Sequence, residues 1–403
     1  MKNITSFRMA AVLASCTLLS ACADGDLPFA DSTSISSPAY SHSVAFQNMT
    51  TLAVWGNNES GQLGDGTTTS AATPKRFRLG FATYSSGVAT GASHTLAIAR
   101  FDNVSGVRAW GSNSAGQIGH DPATVPTSAT PVKIGGFGGA VQQVAAGGLH
   151  SLALAGGTVW AWGSNGAGQL ALNPISSATR FAPRQVEAAK LPITPTAIVA
   201  GGSHSIAYTS TEAYAWGNNA SGQLGNGTTL SSHMPQKVQL PSSITIRKIS
   251  AGGSHNLALD STGKIWAWGN NAYGQLGNGT TTNQSTPVQL TPPAGITGFI
   301  DVCAGPSHSV AVANDFTVYA WGFNTLGLLS VGTTGDQLSP AQVRDASNAP
   351  LSDVERVVLL GSFFTIVKKH GPGGLWSWGY NGYGQLGDGT TSNRTVPVQV
   401  HLP

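Results

Sequence analysis

The sequence predicts an all-β fold: a single seven-bladed β-propeller of about 50-residue repeats, closed by pairing N- and C-terminal strands in one blade. Three observations carry this. The dipeptide Trp-Gly recurs at Trp55, Trp110, Trp162, Trp216, Trp268, Trp321 and Trp378, at intervals of 55, 52, 54, 52, 53 and 57 residues. A fixed period of this size marks units that cannot bury their apolar face alone and must stack on neighbours. Each period also contains four strand-like segments, the content of one propeller blade. Finally, the repeats start part-way through a unit at "SISSPAYSHSVAF" and stop after "TVPVQVHLP". The two partial units add to one, which predicts that they share a blade and leave no open sheet edge.

The first segment, residues 1–21, reads as a signal peptide. Lys2 and Arg8 precede an apolar stretch from Met9 to Ala21, too short to span a bilayer and right for a secretory core. It ends in Leu19-Ser20-Ala21-Cys22, which resembles the cleavage box of bacterial lipoproteins. The resemblance implies that Cys22 becomes the lipidated N-terminus and that residues 22–31 form a tether. The chain is then expected to be exported and anchored by lipid at the bacterial cell envelope, in the outer membrane or at the cell surface. Residues 32–403 form the propeller. Of the other cysteines, Cys16 lies in the signal and Cys303 replaces a small buried residue, so no disulfide framework or zinc spacing remains. Charged residues make up only 9% of the chain, and no Lys/Arg cluster offers a footprint for nucleic acid.

The repeat from Lys248 to Leu290 shows each strand. "HNLALD" alternates, with His255, Leu257 and Leu259 on one side and Asn256, Ala258 and Asp260 on the other, the period of a half-buried strand. "STG" is a turn, and "KIWAWG" returns as the second arm of a hairpin. "NNAYGQLGNGTT" is dense in Gly and Asn, which tolerate positive φ, and reads as a tight ordered loop. "TPVQL" is an outer strand, and "IDVCAG" of the next repeat supplies a further one. The seven Trp are expected between stacked sheets. His42, His94, His150, His204, His255 and His308 share one repeat position, and Phe364 holds it in the seventh copy. An aromatic hydrocarbon in that place argues for a structural, hydrogen-bonded His and against a metal. Asp65, Asp121, Asp260 and Asp388 fall at turns and are read as solvated. No nucleophile–base pair, P-loop or metal motif stands out, so neither enzymatic activity nor a cofactor is expected.

"AGGSHNLAL", "GKIWAWGNNAYGQLGNGT" and "TPVQL" together resemble the repeat of the regulator of chromosome condensation family, over about residues 32–403 in seven copies. The resemblance implies a seven-bladed β-propeller. The third copy departs at Ala171, where Gly is expected, and the sixth reads Gly327-Leu328-Leu329-Ser330, losing the Gln and the second Gly; a remodelled loop is expected in both. The family's eponymous member is a nucleotide exchange factor for a small GTPase, while other members are scaffolds or binding proteins, so fold alone does not assign an activity. The reading favoured here is a monomeric, non-enzymatic propeller that binds a protein or glycan partner through its loop face and meets the membrane only through its lipid. Guanine-nucleotide exchange on a small GTPase is the alternative. The segments that break the repeat, Asn173 to Pro195 with Arg180, Phe181 and Arg184, and Thr333 to Arg356 with Arg344 and Arg356, are the expected contact residues, because exposed aromatic and Arg side chains anchor interfaces.

Overall fold

Alternating sequence and tight Gly turns fold each repeat into an antiparallel meander. The structure, a computed structural model, describes residues 42–48, 50–80, 87–101, 104–172, 178–187, 190–361, 363–371 and 374–403. The signal segment, Cys22 and the tether lie outside the described residues, as do residues 173–177 and 188–189 of the expected contact segment. The first sheet holds β1 (His42–Asn48), β2 (Thr51–Gly56) and β3 (Ala71–Arg78). The second holds β4 (Val88–Thr90), β5 (His94–Phe101), β6 (Val104–Ser112) and β7 (Thr127–Ile134). The third holds β8 (Val141–Ala146), β9 (His150–Ala155), β10 (Thr158–Gly163) and β11 (Arg180–Gln185). The fourth holds β12 (Ala197–Ala200), β13 (His204–Tyr208), β14 (Ala213–Gly217) and β15 (Ser232–Lys237). The fifth holds β16 (Ile246–Ala251), β17 (His255–Asp260), β18 (Ile265–Gly269) and β19 (Gln284–Gln289). The sixth holds β20 (Phe299–Ala304), β21 (His308–Ala313), β22 (Val318–Gly322) and β23 (Gln337–Gln342). The seventh holds β24 (Val354–Gly361), β25 (Phe364–Lys369), β26 (Leu375–Gly379) and β27 (Arg394–Gln399). Seven such sheets are the seven blades of a propeller, and no α-helix occurs among the described residues.

The expected closure is corrected by the strand pairing. The C-terminal strand β27 pairs with β26 in a blade made wholly from the end of the chain, while β1 pairs with β2. The phase of the repeat explains the difference. β20, which contains "IDVCA", pairs with β21 of its own repeat through a four-residue turn, Gly305 to Ser307 closing onto His308, and does not join the preceding blade. The ring closes between blades one and seven by packing and hydrogen bonds. Leu52, Val54 and Trp55 share a core with Ile366, Leu386 and Val400, and the Gly389 amide donates to Ala72 O at 3.0 Å.

The second strand of each blade is buried on both faces, because a blade stacks on either side of it. All six residues of β17 are buried. The alternation therefore divides side chains between two neighbouring blades, where a half-buried strand would divide them between core and water. Asn256 faces blade four, where its Nδ2 donates to Gln223 O at 2.9 Å, and His255 faces blade six, where its Nε2 meets Ser309 Oγ at 2.9 Å.

Six of the seven joints are built around one backbone carbonyl, that of the Gln in the loop after Trp-Gly. It accepts the indole N–H of the next blade: Trp110 from Gln62, Trp162 from Gln117, Trp216 from Gln169, Trp268 from Gln223, Trp321 from Gln275, and Trp55 from Gln385 across the closure, all at 2.8–3.1 Å. It also accepts from the second residue of the neighbour's second strand: Thr95, Ser151, Ser205, Asn256, Ser309 and Ser43. All seven Trp are fully buried. Two glycines make room for them. Gly269 turns the chain at φ +104°, where a Cβ would stand 2.5 Å from Ser254 O, and Gly277, at φ +72°, would put one 2.7 Å from the Trp321 indole nitrogen.

At the irregular copies Ala171 (φ 50°) and Ser330 (φ 60°) hold the same left-handed conformation as the glycines they replace. The third loop is not remodelled: Leu170 N still reaches Asn165 Oδ1 at 2.9 Å, and the Trp216 bond is intact. The sixth is changed. It contains a 3-10 turn, Thr325–Gly327, and Trp378 Nε1 and Thr365 Oγ1 are buried without a hydrogen-bond partner. Trp268→Phe and Trp378→Phe remove the same atoms, but only the first breaks a bond, and a net buried hydrogen bond is worth about 1 kcal/mol. Urea unfolding should show Trp268→Phe to be the more destabilising by at least about that amount; equal losses would show that the indole bond contributes nothing to the joint.

Candidate functional site

Two groups of side chains recur at one end of the propeller, where the Gly-x-x-His turns and the Trp-Gly loops lie together because His255 is paired with Gly269. The histidines come first. His42, His94, His150 and His255 each place Nε2 2.9–3.0 Å from a Ser or Thr hydroxyl of the next blade, and His204 places it 2.7 Å from Asn256 Oδ1. Those hydroxyls donate onward to the joint carbonyl, so they accept from the ring, and Asn256 Oδ1 can only accept. Each of these five rings is therefore a neutral imidazole with its proton on Nε2. The Nδ1 edge faces the glycine of its own turn, Gly147 against His150 for example, and has no partner. Burial holds His42, His94, His150 and His255 at about 3 and His204 and His308 at about 4, far below the ordinary value. Among the described residues no three His, Cys, Asp or Glu side chains could hold a metal ion together. The rings are parts of the joint.

The loops come second. Their brace is the Asn two places after Trp-Gly, whose part the sequence pattern displayed without explaining. Asn271 Oδ1 accepts Leu276 N at 2.9 Å, and its Nδ2 donates to Asn278 Oδ1, Thr280 O and Thr282 O. Asn271 is not among the residues with positive φ, so Asn is selected for its amide and not for backbone freedom. Asp65 and Asp388 take the place of Asn278 in two other loops, accepting from Asn58 and Asn381. These two turn acids are thus fixed braces, whereas Asp121 caps an exposed turn by accepting Ala123 N. Asp260 is the clearest correction, because it is buried and accepts from Thr262, Lys264 and the Trp266 indole. Burial raises its pKa, but those bonds outweigh it and leave the carboxyl below its usual value.

Aromatic residues break the polar pattern of this face in one sector. The position after Trp-Gly is Asn57, Ser112, Ser164, Asn218 and Asn270 in blades one to five, then Phe323 and Tyr380. The position before the turn histidine is Ser41, Ser93, Ser203, Ser254 and Ser307 in five blades, but Phe363 in the seventh and Leu149 in the third. Tyr273 and Tyr383 replace small residues in the loops of blades five and seven. Phe323 joins its neighbours: its ring lies 5.0 Å from Tyr273 of blade five and 5.0 Å from Phe363 of blade seven. Tyr380 and Tyr383 pair edge-on at 6.4 Å. Tyr273 is 40% and Tyr383 37% exposed.

This aromatic arc comes with a loss in the joints below it. In the regular loops the residue after Trp-Gly accepts the joint Gln side chain, as Asn218 Oδ1 and Asn270 Oδ1 do from Gln223 and Gln275 at 2.6 Å. Tyr380 does not, and Gln385 Nε2 is left buried and unpaired. Beside Phe323 the Gln itself is gone, replaced by Leu328. An orphaned buried amide costs about 1–3 kcal/mol, so packing alone does not account for these aromatics.

The expected contact residues do not converge. Phe181 is 44% exposed, but its backbone and Cβ cover Gly116 of blade two, the part that Ser285 plays against Gly222. Arg180 is registered with Gly163 near the loop face, while Arg184 is registered with Ala161, farther down the outer strand. Arg344 lies beyond the far end of β23 and bonds Asn348 O. Arg356 is on the inner strand β24, 3.5 Å from Glu355. The arc was legible as aromatic letters in consensus polar positions, outside the two irregular segments that drew attention in the sequence.

Comparison with known proteins agrees with this architecture. The RCC1-like domain model matches residues 27–358 and the regulator of chromosome condensation (RCC1) repeat matches residues 372–403. The chain is similar to the Arabidopsis thaliana ultraviolet-B receptor UVR8, 32% identical over 320 residues covering 78% of this chain and 70% of the receptor. It is also similar to the human E3 ubiquitin-protein ligase HERC2, 32% identical over 60% of this chain but only 5% of the ligase. Among solved structures, human WBSCR16 has a TM-score of 0.77 at 22% identity, covering 88% of this chain and 95% of that one. Yeast RCC1 (Prp20), solved bound to Kap60, has a TM-score of 0.67 at 24% identity, covering 80% and 76%. At these identities the structures show the fold.

The buried histidines make a pH prediction. An unfolded His takes up its proton near pH 6.5, whereas the folded rings do so only near 3–4. Between those limits the unfolded chain binds more protons, so stability is complete above pH 6.5 and falls as pH falls. At pH 5.5 unfolding should take up roughly five to six protons from these rings, and His255→Phe should remove about one of them. A urea midpoint unchanged between pH 7 and 5 would refute buried neutral histidines.

Proposed function

The chain belongs to the RCC1-like domain family, and on that premise we propose that it is a non-enzymatic binding propeller whose docking surface is the aromatic arc of blades five to seven. One observation carries the reading: Tyr380 stands where a polar residue would satisfy Gln385, and the buried amide remains unpaired beneath it. A surface that forgoes a joint hydrogen bond to display a ring is shaped by what it touches. Tyr and Phe anchors on a rigid scaffold lose little entropy on binding. None of the arc residues is charged, so complex formation should depend only weakly on salt.

The partner is proposed to be a protein, with a glycan as the other outcome of the test. The signal and Leu-Ser-Ala-Cys box support placing that partner at the bacterial envelope, with Cys22 lipidated and the propeller outside the cytoplasm. Such a location disfavours nucleotide exchange, although a structure of Saccharomyces cerevisiae Prp20p was reported with its binding to Gsp1p and histones.

Tyr380→Asn separates recognition from stability. Restoring the acceptor for Gln385 should raise the urea midpoint, by about 1 kcal/mol of unfolding free energy, while removing a ring from the arc should weaken capture of the partner from envelope extract at least ten-fold. Lower stability with unchanged capture would sink the reading. Fatty-acid probe labelling should mark the wild type and not Cys22→Ala; equal labelling would remove the anchor. Accelerated release of fluorescent GDP from a small GTPase by catalytic amounts of the chain would favour the exchange factor instead.

A further inference from the structure

The joint between blades six and seven lacks the bonds that hold the others. Trp378 Nε1 has no acceptor; the loop facing it carries Leu328 where the other joints have Gln, and contains the 3-10 turn Thr325–Gly327. Thr365 Oγ1 also has none, and this is the hydroxyl that would meet His308 as Ser309 meets His255. A third series of bonds ends here as well. Around the channel the second residue of each Gly-Gly turn donates its amide to the next turn: Gly148 to Gly201 and Gly202, Gly202 to Gly252 and Gly253, and Gly253 to Gly305. The following residue in the series is Pro306, which has no amide hydrogen to pass to blade seven.

What remains at this joint is different in kind. Asp301, on the inner strand β20, accepts Val357 N of β24 at 2.9 Å through Oδ2 and is held from the other side by Lys248 at 2.7 Å through Oδ1. Ser330 Oγ donates to Thr395 O at 2.7 Å on the outer side. Between them lies apolar packing of Val310, Leu329, Val357 and Trp378. Above it, Phe323 of blade six touches Phe363 of blade seven.

We infer that the joint between blades six and seven is the seam at which the ring opens, latched at the channel by Asp301. Among the described residues no strand pairs across a joint, so the ring parts where side-chain bonds are fewest. The seam runs under the arc, so its opening separates Phe323 from Phe363 and changes the shape offered to a partner. The seam stands on the joint geometry alone; its effect on recognition rests on the arc being the docking surface.

Thiol labelling tests it in the full chain with Cys16, Cys22 and Cys303 replaced by Ser. Val310 and Ile206 are fully buried at equivalent positions, the first in the seam and the second in the joint between blades four and five. After correction for rates in urea, Val310→Cys should react with a maleimide at least ten-fold faster than Ile206→Cys. Adding Pro306→Gly, Phe323→Asn and Leu328→Gln, with Ser330 and its bond to Thr395 kept, rebuilds the regular joint and should bring the two rates together. Asp301→Asn should speed Val310→Cys further and leave Ile206→Cys unchanged. Equal rates at both sites in the parent chain, or no response of Val310→Cys to the rebuilt joint, would overturn the seam whatever the arc binds.

Discussion

Six of the seven joints of the ring depend on a single carbonyl oxygen. The Gln carbonyl of one blade takes an indole N–H and a hydroxyl or amide from the next, inside a core where no water can serve instead. That requirement fixes the surroundings. The oxygen must point sideways, so the loop needs left-handed glycines; the loop must be rigid, so a buried Asn ties it; the indole must approach closely, so Gly277 and its equivalents carry no Cβ. The sentence the chain repeats contains no reaction chemistry because it specifies this contact, which six of the seven joints make.

The same constraint makes departures informative. Where the motif is changed without losing the bond, as at Ala171, the backbone keeps its shape and accepts a strained φ. Where aromatic residues replace the polar position after Trp-Gly, bonds are lost beneath them, at Gln385 under Tyr380 and at Trp378 and Thr365 in the joint that Phe323 overlies. Rigidity and the proposed recognition compete for the same loop positions in blades five to seven. Those blades also carry the Lys248–Asp301 pair, in which burial lowers the ammonium pKa but the facing carboxylate more than compensates and holds the lysine charged.

Much of the fold was legible in the sequence because it is periodic. Seven Trp-Gly units, the hairpin through Gly263 and the structural part of the histidines follow from spacing and from Phe364 in the seventh copy. The phase of the blade was not legible: alternation identifies strands but not which neighbour each one pairs with, and the short Gly-x-x-His turn decides that. The burial of Asp260 was hidden because its ligands are backbone amides of its own turn and an indole brought close by the hairpin. The aromatic arc was passed over for a related reason. Long irregular segments attract attention, yet Arg180, Arg184, Arg344 and Arg356 scatter over the ring, whereas Tyr273, Phe323 and Phe363 come from three different repeats and meet only when the blades stack.

Hydroxyl-radical footprinting of the complex with its captured partner tests the central claim most directly. The account predicts protection concentrated at Tyr273, Phe323, Phe363, Tyr380 and Tyr383, with Phe181 and the far-side loop around Arg344 as reactive as in the free chain. Protection of Phe181 or of the far side, with the arc unchanged, would contradict it.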